Sequence, residues 1–161
     1  MTEEISAIEI DNPEEANELL APGEATSLTK TLDTVVKTVT DQGFYSTFDT
    51  DTMEGKKKVF KATNAAFLLR DYVETPIACV DMVFSPSEVI TEDGEAKTVL
   101  AGYLVDNEGN VYMSSSQGVI KSMVRMLDQF GHPSTWGEPV EVICRETNTN
   151  RGRRYKFLDV A

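Results

Sequence analysis

One helix set inside a run of strands constrains this chain more than any other feature. Val119, Ile120, Met123, Val124, Met126, Leu127 and Phe130 recur at helical spacing; Ser115-Ser116 can cap the start, and Gly131 followed by Pro133 ends it. Three strand patterns precede this helix, residues 116–130. Residues 76–85 alternate Ile77, Cys79 and Asp81 against Ala78, Val80, Met82 and Phe84. Asp93-Gly94 turns that strand towards residues 98–105, and Asp106-Asn107-Glu108-Gly109-Asn110 makes a tight loop into residues 111–114. After the helix, a loop through His132 and Trp136 leads into a hairpin over residues 137–160. One helix between the third and fourth of five strands is the order of the OB-fold, a partly open Greek-key barrel. An SH3-like barrel and a generic α+β sheet are the alternatives, and the helix position favours the OB order. Gly102, inside its strand, predicts a bend or bulge of the kind that lets a small barrel close.

Upstream, Leu28, Leu32, Val35, Val36 and Val39 predict an amphipathic helix or connector over 27–42, with Gly43 as its stop. From Gly43 the pattern becomes that of a sheet. Residues 44–48 alternate, 49–55 are turn-rich, and 56–62 return, which predicts an extra N-terminal hairpin. Residues 64–72 read as a short helix or a connector. Asp49, Asp51 and Glu54 lack the spacing of an EF-hand calcium loop and are taken as part of the turn. The expected organisation is a mobile acidic leader over 1–26, the helix over 27–42, and an OB-like domain over 43–161, the whole mainly β with one or two helices.

Charge decides which partners are open to such a domain. The formal net charge of the 161 residues is −12. Eight carboxylates and no cation fall within residues 1–29, so residues 30–161 carry a net of only −4. Within the leader, Asn12-Pro13-Glu14-Glu15 can start a short conditional helix, with Leu19 and Leu20 as its anchor before Pro22-Gly23. No run approaches 18 apolar residues, and the acidic N-terminus is unlike a signal peptide; a cytoplasmic protein with no membrane partner is expected. Cys79 and Cys144 are expected to be reduced and buried, and with His132 they are too few for a zinc site. No phosphate-binding glycine loop occurs, and the single histidine sits in a loop. The chemistry therefore predicts no enzyme, no catalytic residue, no metal and no cofactor.

The positive signal is a binding surface. Between Arg145 and Lys156 the chain gathers five cations against one carboxylate, Glu146, and these include four of its six arginines, interleaved with Tyr155 and Phe157. Tyr45 with Lys56, Lys57, Lys58, Phe60 and Lys61 makes a second ribbon of the same kind, and Tyr103 and Tyr112 lie on the middle hairpin. Cations for phosphates beside aromatic faces for bases are what single-stranded nucleic acid requires. The candidate contacts are Tyr45, Lys56, Lys57, Lys58, Phe60, Lys61, Tyr103, Tyr112, Arg145, Arg151, Arg153, Arg154, Tyr155 and Lys156. Phe48, Phe84 and Phe157 are read as core. Period-2 alternation puts Arg153, Tyr155 and Phe157 on one face and Arg154, Lys156, Leu158 and Val160 on the other, leaving open which face is inward.

The segment Thr47-Phe48-Asp49-Thr50-Asp51-Thr52-Met53-Glu54-Gly55-Lys56-Lys57-Lys58-Val59-Phe60 resembles the start of single-stranded DNA-binding proteins of phages that replicate by protein priming. A looser likeness runs through Asp106–Tyr112 and the following helix. The resemblance implies an OB-fold protein that coats displaced strands in viral replication; the residues themselves favour binding with little sequence preference and no catalytic activity. The 43-residue N-terminal extension departs from that pattern. Replication proteins could dock on the acidic leader, and self-association is possible. The competing class is an acidic protein-interaction or viral structural module that binds no nucleic acid; a third is an enzyme with a metal at Asp49, Asp51 and Glu54.

Overall fold

Pro76–Ile90 (β3) and Ala96–Asp106 (β4) pair antiparallel along nearly their whole length across the Asp93-Gly94 turn, and their central residues are buried on both faces of the sheet. The computed structural model describes residues 27–161, and the leader, with its helix start at Asn12, lies outside the described residues. Its other elements are Ser27–Gln42 (α1), Tyr45–Ser46 (β1), Met53–Asn64 (α2), Phe67–Leu68 (β2), Val111–Ser114 (β5), Gln117–Phe130 (α3), Val140–Asn148 (β6) and Arg154–Val160 (β7). Short 3-10 turns occupy Leu69–Tyr72 and Pro133–Thr135.

The sheet order is β2-β5-β4-β3-β6-β7, with the two-residue β1 pairing separately with β3. The meander β3-β4-β5, the helix, and the return of β6 to the far side of β3 give the OB-like order, in a strongly curled half-barrel. The sheet runs from β2, which pairs parallel with β5, to β7 at its other end. The outer edge of β7 is covered by α3: the Ser122 hydroxyl accepts the Leu158 amide at 3.0 Å, so an edge donor is satisfied. The path of that contact is set by Gly118, where an added Cβ would overlap the Lys156 carbonyl oxygen.

One face of the sheet carries the main core. Met82, Phe84, Leu100 and Leu104 meet Val119, Ile120, Met123 and Val124 of α3, and α1 adds Val35 and Val39. The expected helices over 27–42 and 116–130 are therefore present. The threonines of α1 are accommodated by back-bonding: Thr34, Thr38 and Thr40 each donate to the carbonyl four residues earlier. Ser116 takes the N-cap position of α3 without a side-chain cap bond. Gly102 is no bulge. An added Cβ would lie 2.5 Å from Met123 Sδ and 2.8 Å from Ile120 Cδ1, so the glycine admits α3 against β4, and the register shift falls between Cys79 and Asp81.

The extra N-terminal hairpin is also corrected. Residues 56–62 are not a strand but part of α2. Thr52 caps that helix by accepting the Gly55 amide at 3.1 Å, Glu54 sits in its first turn and Lys61 in its last. Gly55, Val59 and Ala62 face inward at helical spacing, and Ala62 joins Val83, Ala101 and Tyr103 in a second, smaller core on the opposite face of the sheet. Within residues 64–72, the expected short helix or connector, Phe67–Leu68 is a two-residue strand and Leu69–Tyr72 a 3-10 turn.

Both cysteines are free and buried. Burial, then the neighbouring Asp81 carboxylate, pushes the Cys79 thiol from 9.0 up to about 12, and burial raises Cys144 as well. Because the folded value of Cys79 is the raised one, its contribution to stability is complete below pH 9.0 and is lost as pH rises towards 12. Two results are expected. Neither thiol reacts with a thiol reagent at pH 8 until the protein unfolds, and the denaturation midpoint falls as pH rises above about 9. Rapid labelling of the native protein would contradict both.

Candidate nucleic-acid interface

The helical period of α2 separates two sets of side chains. With Gly55 and Ala62 buried, Lys56, Lys57, Phe60 and Lys61 turn outward beside Met53; Phe60 and Met53 are 68% and 66% exposed. Large apolar side chains standing open among lysines are unusual for a surface helix, and here they combine a ring face with point charges. Lys58 sits on the flank, its Nζ 5.2 Å from the centre of the Phe48 ring, a cation–π contact that leaves Phe48 half-buried. The four lysines therefore do share one element with Phe60, although it is a helix.

Three of the predicted tyrosines belong to the packing. Tyr103 is 4% exposed under α2, and its hydroxyl oxygen accepts from Ser85 at 3.1 Å, so its ring has no open face. Tyr45 is half-buried edge-on to Phe84 at 5.9 Å, and burial raises its hydroxyl pKa. Tyr112 stands edge-on to Tyr72 at 5.1 Å and donates to Asp106 Oδ2 at 3.3 Å; desolvation and then the Asp106 charge raise its pKa. Asp106 also accepts the Glu108 and Asn110 amides, which explains the tight loop that enters β5. Phe67, 5.8 Å from Tyr112 and 48% exposed, is the open ring of this group. Its place in a two-residue strand gave no periodicity by which to find it.

The C-terminal hairpin divides as well. Arg145 bonds Asp159 Oδ2 through Nε and Glu74 Oε1 through Nη1, both at 2.8 Å, and so ties β6, β7 and the approach to β3 together. Glu74, at φ 66, is the one non-glycine residue in the left-handed region among the described residues, and its amide donates to the Cys144 carbonyl at 2.8 Å. Arg151 and Arg153 are exposed at the β6–β7 turn, closed by Gly152 at φ 77. Arg154 and Lys156 both face Glu146, at 3.8 and 3.3 Å, and the Arg154 side chain is 78% exposed. An exposed pair such as that of Arg154 contributes about 0–1 kcal/mol, whereas the Lys156 and Glu146 side chains are only 29% and 27% exposed.

Leu158 points to the main core opposite Cys144, which settles the orientation of β7. Tyr155 and Phe157 lie on the other side, stacked at 6.1 Å with 23° between their planes, and Phe157 is half-buried rather than core. They line a groove of about 580 Å³ between β7 and α3 that also receives Leu28, Lys121, Arg125 and Phe130. Lys121 and Arg125 were missed by sequence reasoning. The available signal was their spacing of four on the polar face of α3, the spacing that puts two helix residues on one side.

An OB-like sheet flanked by a lysine-rich helix, and by a hairpin of arginines and stacked rings, is the architecture of a nucleic-acid-binding protein. The family model for phage single-stranded DNA-binding protein, of the Phi29 type, matches residues 38–161, and the chain belongs to that family. Searches of curated proteins and of solved structures each found no significant match. Among the described residues, no three His, Cys, Asp or Glu side chains group as a metal site, and no helix is long and apolar enough to cross a membrane.

Proposed function

We propose that this protein binds single-stranded DNA with little sequence preference and coats displaced strands during viral DNA replication in the host cytoplasm, acting by binding alone. Membership of the phage family over residues 38–161 carries this reading. The surfaces described above supply its physics. Lys56, Lys57 and Lys61, with Arg151, Arg153 and Arg154, offer charges to phosphates, and Phe60, Tyr155 and Phe157 offer faces to bases. A stacked base contributes about 1–3 kcal/mol whatever its identity, which is why stacking on rings tolerates sequence. The acidic leader is the segment through which replication proteins would be recruited.

The test is a titration of the full chain with an oligothymidine of about 40 nucleotides, followed by the emission of Trp136 and the tyrosines. Binding should be tight at low salt and should weaken as salt rises, with log affinity falling by about 0.7 per neutralised phosphate for each tenfold increase. A duplex of equal length should bind more weakly. Failure to bind oligothymidine at low salt would overturn the proposal in favour of a protein-interaction module.

A further inference from the structure

The groove between α3 and β7 opens where the described chain begins. Ser27 donates to Asp128 Oδ2 of α3 at 2.9 Å, Thr31 donates to Oδ1 of the same carboxylate at 3.2 Å, and Leu28 itself lines the groove. Leu28 lines the cavity and Ser27, to which the preceding segment is joined, is held beside it on Asp128. The chemistry of that segment is complementary. Residues 1–26 carry eight carboxylates, no cation, and an adjacent Leu19-Leu20 pair. The groove places Lys121 and Arg125 beside Phe130, Phe157 and Met126. Ser27 lies seven positions after Leu20. That length of chain reaches at most about 25 Å, and a tether this short sets a local concentration of about millimolar.

We propose that the acidic leader docks intramolecularly in this groove, with Leu19 and Leu20 against the Phe130–Phe157 wall and its carboxylates towards Lys121 and Arg125. Tyr155 lies on the same wall, so a docked leader competes with DNA for the stacked rings. The docking stands by itself; the competition rests on the proposed single-stranded DNA binding.

Because Cys79 and Cys144 are buried, a nitroxide on a full-length Ala21→Cys variant reports the leader selectively. Without DNA, it should broaden the amide resonances of α3 and β7 around Arg125 and Phe157. The broadening should vanish in Leu19→Ser/Leu20→Ser and diminish in Arg125→Glu. No broadening at these amides would overturn the docking. So would broadening that appears only between spin-labelled and separately isotope-labelled molecules, since the leader of a second copy would then be the occupant. Saturating oligothymidine should remove the broadening, and Leu19→Ser/Leu20→Ser should bind oligothymidine about fivefold more tightly at low salt. Broadening that persists at saturation would overturn the competition. Absence of oligothymidine binding in every variant would instead overturn the proposed function, with the DNA-free measurement still deciding the docking.

Discussion

Replacing Lys56, Lys57, Lys58 and Lys61 together with glutamine should lower affinity for oligothymidine by about 10²–10³-fold at about 50 mM salt. The dependence of affinity on salt should flatten at the same time, by about 0.7 for each phosphate that the variant no longer neutralises. The reason is geometric. All four lysines are exposed on α2 beside an open Phe60, and the single acid in that helix is Glu54. Glutamine keeps the length and helix propensity of lysine, and the buried side of α2 is Gly55 and Ala62, so stability should change by less than about 1 kcal/mol. Unchanged affinity would move the phosphate path off α2 and leave the β6–β7 turn to carry it. Phe60→Ala, in the same assay, separates stacking from charge: it should weaken binding without altering the salt slope.

Gly118→Ala should destabilise the protein by about 3 kcal/mol and lower its melting temperature by roughly 10 °C. Helix propensity alone predicts the opposite sign, since alanine is favoured over glycine in a helix interior by about 1 kcal/mol. The added methyl group would overlap the Lys156 carbonyl oxygen and come within 2.8 Å of the Tyr155 ring, which cannot both retreat while Ser122 holds the Leu158 amide. Gly55→Ala should behave alike, because its Cβ would overlap the Asp49 carbonyl oxygen as the chain enters α2. Calorimetry on the two variants checks this, and a gain in stability for either would mean that the chain relaxes there at little cost. Gly118→Ala also displaces the stacked rings, so its oligothymidine affinity should fall, whereas that of Gly55→Ala depends on whether α2 stays in place.

The strand order after residue 75 and the two amphipathic helices were legible because apolar runs or helical spacing there are bounded by clear turn and stop signals such as Asp93-Gly94, Asp106–Asn110 and Gly131. The segment 53–64 was not. Lys-Lys-Lys-Val-Phe-Lys satisfies a strand template if Phe60 is assumed to point inward, and only the Gly55, Val59, Ala62 spacing with the Thr52 cap reveals the helix. Composition located the cations on α2 and on the C-terminal hairpin. It could not separate Arg145, held by two carboxylates from distant parts of the chain, from Arg154, which is largely exposed. Tyr103 and Tyr155 posed the same difficulty: both lie in strands, and burial depends on which element covers the face.

Sequence alone determined the order of the later strands and, through the resemblance at residues 47–60, the family of this protein, since turn residues, spacing and motif are local properties that survive without a partner. Tertiary structure alone decided which side chains remain available to a ligand. Availability is set by contacts between residues far apart in the chain: α2 over Tyr103, Glu74 on Arg145, and α3 along β7 to form the groove beside Tyr155 and Phe157.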